Sequence, residues 1–242
     1  MLSSERLVKH YETKYRAADF SSVAPVPLLA RPADRRQMLV HLAACGPAGS
    51  YLEIGAGDGG TILSLLGFYE RLVCTDLSEI RVQQLRLLFQ NNSTVQVFRN
   101  NLEVDGLPFP DEVFHTAAMA DVIEHFIDPI GALKEIRRTL KPGGRLIVLT
   151  PNIAKWTRRL KLLTGYFPST ASLQEGLLCY DKKTPTDLHD EGHLHYFTFR
   201  SLSRLALERA GFSRVEAAGY GELALSRVWP EMFSELAVIL YR

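Results

Sequence analysis

Tyr51-Leu-Glu-Ile-Gly-Ala-Gly-Asp-Gly-Gly60 is the stretch whose reading decides the fold. Tyr51, Leu52 and Ile54 form a short apolar run that reads as a buried strand. The chain then turns through Gly55, Gly57, Gly59 and Gly60 into a helical pattern that starts at Thr61. Glycine, without a Cβ, takes positive φ and lets a ligand lie directly on the backbone. The helix N-terminus that follows presents unsatisfied N–H groups and partial positive charge to whatever occupies the turn. The stretch reads as a nucleotide-type binding turn, the alternative being a tight strand-to-helix connection.

Working outward, Gly55, Gly57 and Gly60 satisfy G-x-G-x-x-G, and Asp76 follows about twenty residues on, where a dinucleotide fold places its ribose-binding acid. Asp76 ends a second apolar run, Leu72-Val-Cys-Thr-Asp76, and a carboxylate there can accept both ribose hydroxyls. Glu53 discriminates between ligands. A carboxylate inside the first strand repels a pyrophosphate but suits a ligand with no phosphate and a cationic end. S-adenosylmethionine, with its ribose, sulfonium and ammonium, meets that description; NAD(P) does not.

Strands are expected near 51–54, 72–76, 94–98, 113–119 and 145–150, with helices near 60–69, 79–90 and 129–140. Such alternation is the signature of a parallel sheet covered on both faces, with ligands at the carboxyl ends of its strands. Glu53 to Gly57, Asp76, Asn101 and Ala120-Asp121 all fall at or just beyond such ends.

Glu53-x-Gly55-x-Gly57, Asp76, Leu107-Pro-Phe-Pro-Asp111, Asp121-Val-Ile-Glu-His125 and Leu140-Lys-Pro-Gly-Gly-Arg-Leu-Ile-Val148 together resemble, in order and spacing, the motifs of class I S-adenosylmethionine-dependent methyltransferases. The nearest likeness is to the small-molecule branch that includes the ubiquinone-biosynthesis O-methyltransferases. It covers roughly residues 48–150, with a weaker echo to 220. It implies an α/β fold with a Rossmann-like, doubly wound, mostly parallel seven-stranded sheet and helices on both faces. It also implies S-adenosylmethionine as cofactor, S-adenosylhomocysteine as product, and a small-molecule acceptor methylated at oxygen. The cofactor contacts it assigns are Glu53, Gly55, Ala56, Gly57, Asp76, Leu77, Asn101, Leu102, Ala120 and Asp121. Two positions depart from the pattern. Asn101 replaces an aspartate that commonly meets the adenine amino group, which an amide oxygen can still accept. His115 replaces an aspartate at the entry of the fourth strand, a position more structural than catalytic. Two other readings stay open: an NAD(P)-dependent oxidoreductase, and a non-catalytic protein of the same fold that binds a macromolecular partner.

Length and composition fit one domain. At 242 residues, 46% hydrophobic and 23% charged, the chain has the balance of a soluble globule with a substantial core. A net charge of +1 gives no footprint for nucleic acid or a membrane surface over the whole chain. Cys45, Cys74 and Cys179 are widely spaced, which suits a reducing compartment and argues against a disulfide framework. No apolar run approaches the ~20 residues of a membrane span, and no signal-peptide pattern opens the sequence, so a cytoplasmic location is expected.

The expected plan is a single domain: a helical arm over 1–47, a cofactor-binding core over 48–150, an acceptor-side insertion over 151–198, and the rest of the sheet over 199–242. In the arm, Leu7, Val8, Tyr11 and Tyr15 keep helical spacing over 4–18, and a second helix runs from about Asp34 to Ala44. The arm serves either as packing or as a lid with Tyr11 or Tyr15 on the cofactor. In the insertion, Lys155, Arg158, Arg159 and Lys161 alternate with Trp156, Leu160, Leu162 and Leu163. They form either a solvated basic face or a holder for an anionic or lipid-like acceptor. A helix over 199–211, a strand over 212–218, a short helix from about 226 and a last strand, Leu236-Ala-Val-Ile-Leu240, complete the chain.

Methylation of a hydroxyl needs its proton removed, by a base or by a metal. His125 ends the Asp121 motif, while His189, His193 and His195 cluster in Asp187-Leu-His-Asp-Glu-Gly-His-Leu-His195. His125, His193 and His195 are the catalytic candidates. A structural role is the alternative for His125 and for one of the other two, whose i, i+2 spacing puts both on one side of an extended segment. A divalent metal is a further option. Asp121, Glu124 and His125 have spacings that place them on one helical face, and D-x-x-E-H resembles the E-x-x-E-H metal motif of some ubiquinone-pathway and small-RNA methyltransferases. His193 or His195 would complete that set.

Overall fold

Strand β1 (Ser50–Ile54) is the pivot of a seven-stranded sheet. The structure is a computed structural model that describes residues 8, 9, 11–13, 23–170 and 192–242. β1 pairs in parallel with β2 (Arg71–Asp76) on one side and β4 (Phe114–Ala120) on the other. Beyond β2 lies β3 (Val95–Arg99), and beyond β4 lies β5 (Leu140–Thr150), both parallel. β7 (Leu236–Tyr241) is antiparallel to β5 and to the edge strand β6 (Arg214–Ala218). The order is β3-β2-β1-β4-β5-β7-β6. Successive crossovers run outward from β1 to β3, and the chain then returns to β4 on the opposite flank. The crevice between the ends of β1 and β4 is therefore the topological switch point.

Alternation along the strands assigns two cores. Leu52, Ile54, Met119, Leu146 and Val148 point to one face, against Leu133 and Ile136 of α5 (Pro129–Thr139) and Leu202 of α7 (Phe199–Arg204). Tyr51, Leu72, Cys74, Ala118 and Ile147 point to the other, against α1 (Arg35–Ala44), α2 (Gly60–Leu65) and α3 (Glu79–Leu88). Caps set the helix starts: the Asp34 carboxylate accepts from Gln37 N at 2.9 Å, and Thr198 with Ser201 forms a reciprocal capping box.

Several expected boundaries move. α2 stops at Leu65, and β5 begins at Leu140, with Gly143 at φ 75° inside it and a register shift against β4. The helix expected over 199–211 ends as a π segment, Leu205–Arg209, before Gly211 at φ 80°. One turn of helix, α4 (Leu102–Asp105), follows β3. In the insertion only α6 (Trp156–Leu163) is regular among the described residues. Its orientation splits the basic patch: Lys155 and Arg158 turn inward onto Glu235, at 3.1 and 2.6 Å, while Arg159 is exposed. The Gly/Pro/Ser/Thr-rich stretch through Pro185, with Cys179 and His189, and Tyr15 of the arm lie outside the described residues.

Candidate functional site

The turn after β1 is pinned to β2 by Gly55 N and Ala56 N, which donate to Thr75 O at 2.8 and 3.1 Å. Gly55 (φ 71°) is required by packing, since a Cβ there would stand 2.6 Å from Val122 Cγ2. Gly57 (φ 56°) differs: a Cβ there would meet nothing within 4 Å, so its backbone faces open space. Its N–H donates to Asp76 Oδ2 at 3.3 Å, and Ser78 N donates to Oδ1 at 2.9 Å. Each oxygen of that carboxylate keeps a second lone pair for a ligand hydroxyl. Burial raises the Asp76 pKa, and the Ser78 and Gly57 N–H groups oppose the rise.

Next to Asp76 opens a cleft of about 270 Å³ lined by Val8, Leu77, Arg99, Asn101 and Val104, among others. Leu77 and Asn101 thus share one cleft, with Val8 of the arm on its wall. Leu102 turns its side chain into the apolar core, Ala56 is buried, and Ala120 is half-buried at the end of β4.

Glu53 lies inside β1 on the α1/α2 side, 4% exposed, and its Oε2 has no hydrogen-bond partner among the described residues. Burial, then the charge of Asp58, pushes its pKa up to about 8; Arg36 and the hydroxyls of Thr61 and Tyr51 oppose the shift. A buried acid with an orphaned oxygen at the ligand turn is held neutral at pH 7 and is poised to ionise beside a cation.

At the end of β4 the motif Asp121-Val-Ile-Glu-His125 does not form one helical face, which corrects the expectation for Asp121. That residue has φ 52° and forms an ion pair with Arg35 of α1, while only Ile123–His125 are helical, as one 3₁₀ turn. The left-handed backbone at Asp121 breaks the periodicity. Glu124, His125 and His193 do come together: one ligand atom from each lies within 4.8 Å of the others, and all three residues are buried. Thr150 Oγ1 donates to Glu124 Oε2 at 2.9 Å, while Oε1 has no hydrogen-bond partner among the described residues. Burial and the nearby Asp121 charge push the Glu124 pKa up to about 8. His125 Nδ1 lies 3.2 Å from Gly192 O, which only a protonated Nδ1 can satisfy, so Nε2 carries the lone pair of the neutral ring. The Nδ1 of His193 and the Thr170 hydroxyl are 2.6 Å apart. The two imidazoles meet edge to face at 4.8 Å, and Tyr11 of the arm packs edge-on against His125 at 5.7 Å.

His195 does not join this cluster. Leu194 N and His195 N both donate to the Glu124 carbonyl, at 2.8 and 3.1 Å, and the backbone bends around it. The i, i+2 pair therefore diverges, and the His195 ring lies against Phe197 at 6.0 Å. His115 sits at the opposite end of the sheet, where its Nδ1 accepts from Ser50 N at 3.0 Å. Sequence reasoning missed Arg35, Thr150, Thr170 and Gly192 as partners of these groups. Each is remote in the chain from the residue it touches, and none carries a local motif.

A family model described as a methyltransferase domain matches residues 29–217. The demethylmenaquinone methyltransferase of Chlamydia muridarum is 31% identical over 104 residues, covering 43% of this chain and 45% of that protein. The ubiquinone/menaquinone biosynthesis C-methyltransferase of Shewanella frigidimarina is 25% identical over 194 residues, 78% of this chain and 76% of that one. The chain spans between 31% and 45% of the length of the first curated relatives it matches. Among solved structures, a Thermotoga maritima protein described as an S-adenosylmethionine-dependent methyltransferase, possibly a histamine N-methyltransferase, superposes with a TM-score of 0.59. It is 22% identical, and the match covers 98% of this chain and 97% of the other, a likeness of fold.

Proposed function

This chain belongs to the methyltransferase-domain family, and from that premise we propose that it transfers a methyl group from S-adenosylmethionine to a small-molecule acceptor. The observation that carries the reading is the contact of Asp76 with the open Gly57 at the switch point. Gly55, Ala56 and Gly57 would bear the cofactor on their backbone, Asp76 would take the ribose hydroxyls, and Leu77, Asn101 and Leu102 would border the adenine. Glu53, Ala120 and Asp121 would border the methionine end. When bound, S-adenosylmethionine supplies an electrophilic methyl group on a sulfonium. Val8 of the arm would border the adenine cleft, and Tyr11 the side of His125 where an acceptor would approach.

His125 is the base. Its Nδ1–H is committed to the Gly192 carbonyl, so Nε2 takes the proton of an acceptor hydroxyl. Glu124, held near its neutral form, does not trap His125 as an imidazolium before the acceptor arrives. His193 fixes the ring from the side, and His195 stays with the wall. Methylation at oxygen is the first reading. The likeness to the Shewanella frigidimarina C-methyltransferase favours carbon as the second. One base serves both, because an aromatic oxyanion either attacks itself or feeds electron density to a neighbouring ring carbon. Mass spectrometry of ligand retained on the purified chain, with calorimetry against S-adenosylhomocysteine and NAD, tests the cofactor. Binding of NAD and not of S-adenosylhomocysteine, or of neither, overturns the proposal.

A metal-assisted version is favoured by one observation, the donor set Glu124, His125 and His193. One carboxylate and two imidazoles suit a divalent ion of the Mn²⁺ or Fe²⁺ kind, which would lower the pKa of a bound hydroxyl. The Nδ1 contacts to Gly192 and Thr170 leave Nε2 of both rings as the ligating nitrogen. Activity unchanged by EDTA, with no metal in the purified protein, leaves the base alone.

A further inference from the structure

Each imidazole of the candidate site is held at its Nδ1 by a group from far along the chain. Gly192 O meets His125 Nδ1 at 3.2 Å, and the Thr170 hydroxyl meets His193 Nδ1 at 2.6 Å. The Gly192 side is fastened through backbone: Leu194 N and His195 N donate to Glu124 O, and Ile153 N donates to Phe197 O at 3.0 Å. The Thr170 side is fastened by a side chain. Arg158 Nε donates to Ser169 O at 3.1 Å, and that carbonyl belongs to the planar peptide that leads into Thr170. Ser169 and Thr170 are both buried. The guanidinium has fixed partners of its own, since Nη1 donates to Asn152 O at 2.8 Å and to Glu235 Oε2 at 2.6 Å. Anchoring of α6 does not need these bonds. Glu235 Oε1 also takes Lys155 at 3.1 Å and Oε2 takes Asn152 N at 2.7 Å, while Asn152 Nδ2 donates to Glu231 O and Ser234 O at 3.0 Å each. Among the described residues, neither Lys155 nor Asn152 duplicates the contact with Ser169 O.

We infer that Arg158 is a positioning residue of the candidate site: it holds the Ser169–Thr170 peptide so that the Thr170 hydroxyl fixes the His193 ring beside His125. The route runs from Glu235 through Arg158, Ser169 and Thr170 to His193, whose ring meets that of His125 edge to face at 4.8 Å. A guanidinium suits this task. Nε and Nη1 share one rigid plane, so a side chain set by Glu235 and Asn152 also sets the direction of the bond to Ser169 O. An ammonium is a single point of charge; it can meet Glu235 but cannot aim a second bond at a carbonyl on the other side. A hydroxyl on Nδ1 then stops rotation about the broad χ2 of His193, so one edge of the ring stays toward His125. The effect on turnover rests on the reading of His125 as the base, whereas the orientation of His193 does not.

The test reads the ring directly and turnover separately. The full chain is labelled with ¹⁵N-histidine, and the signal of His193 is assigned among the seven histidines by its loss in His193→Gln. At one fixed pH, Arg158→Lys should move the His193 Nδ1 resonance, and Thr170→Val, which keeps the shape and removes the hydroxyl, should move it likewise. Arg158→Lys should lower kcat by about tenfold or more with the acceptor KM and S-adenosylhomocysteine affinity at the parent values. Its melting temperature should fall by no more than about 4 °C, because Lys155 and Asn152 still hold Glu235. Adding Arg158→Lys to Thr170→Val should slow turnover no further, since both act through one hydroxyl. A His193 resonance that stays in place in Arg158→Lys overturns the proposal, as does a moved resonance with kcat unchanged. So do losses that multiply in the double variant, or a melting temperature that falls by more than about 10 °C, which assigns Arg158 to the fold. If the parent transfers no methyl group, the proposed function fails, while the resonance still decides whether Arg158 orients His193.

Discussion

Replacing Glu53 by Gln tests whether the first strand holds a neutral acid poised to meet a cation. The unfolded chain ionises this group at its ordinary 4.5, and the folded chain holds the proton to about 8. The stability of the buried neutral acid is therefore complete below 4.5 and is lost as pH rises through about 8. At ~1.4 kcal/mol per pH unit the whole span is worth no more than about 5 kcal/mol, and the part between pH 6 and 8 about 2–3 kcal/mol. Gln keeps the shape and cannot ionise. The melting-temperature difference between Glu53→Gln and the parent should thus grow by about 5–10 °C in favour of Gln between pH 6 and 8. Glu124 titrates in both proteins and cancels. Binding should show the opposite preference: calorimetry should find S-adenosylmethionine bound more tightly by the parent as pH rises through about 8, with no such rise for Gln. Parallel melting curves for the two proteins, or equal affinities across that range, would refute the reasoning.

Asp76→Ala removes two charge-assisted hydrogen bonds of ~1.5–3 kcal/mol each, so S-adenosylhomocysteine affinity should fall about a hundredfold or more; a change under about threefold in a folded variant would retire the ribose assignment. Gly57→Ala has room for its Cβ and should cost only the ~1–2 kcal/mol of left-handed backbone in stability while abolishing cofactor binding, whereas Gly55→Ala should destabilise through its clash with Val122. Retained binding by Gly57→Ala would show that the ligand does not lie on that turn. His125→Ala should lower the rate by about a hundredfold or more and remove the fall in rate on the acidic side of the pH profile, with His195→Ala close to the parent in both; equal losses would move the base elsewhere.

Local chemistry was enough to read the core of this protein. The apolar run at Tyr51–Ile54, the glycines after it and Asp76 about twenty residues on are a strand, a turn and a strand whatever the rest of the chain does, because their constraints act within a few bonds. The alternation that follows leaves a parallel sheet as the way to bury both faces, and its strand ends collect Gly57, Asp76 and Asn101. Spacing failed where the backbone departs from a regular period. Asp121 takes φ 52° and leaves the Glu124–His125 pair for Arg35, and the carbonyl of Glu124 splits His193 from His195. Only the folded chain could decide that Gly192, Thr150 and Thr170 orient the buried acid and imidazoles, since hydrogen bonds across 23 to 67 positions depend on tertiary packing. The same holds for α6. Its composition shows a basic and an apolar side, but which one faces water was decided by Glu235, 77 residues from Arg158, whose half-buried carboxylate draws Arg158 and Lys155 inward and leaves the leucines outside.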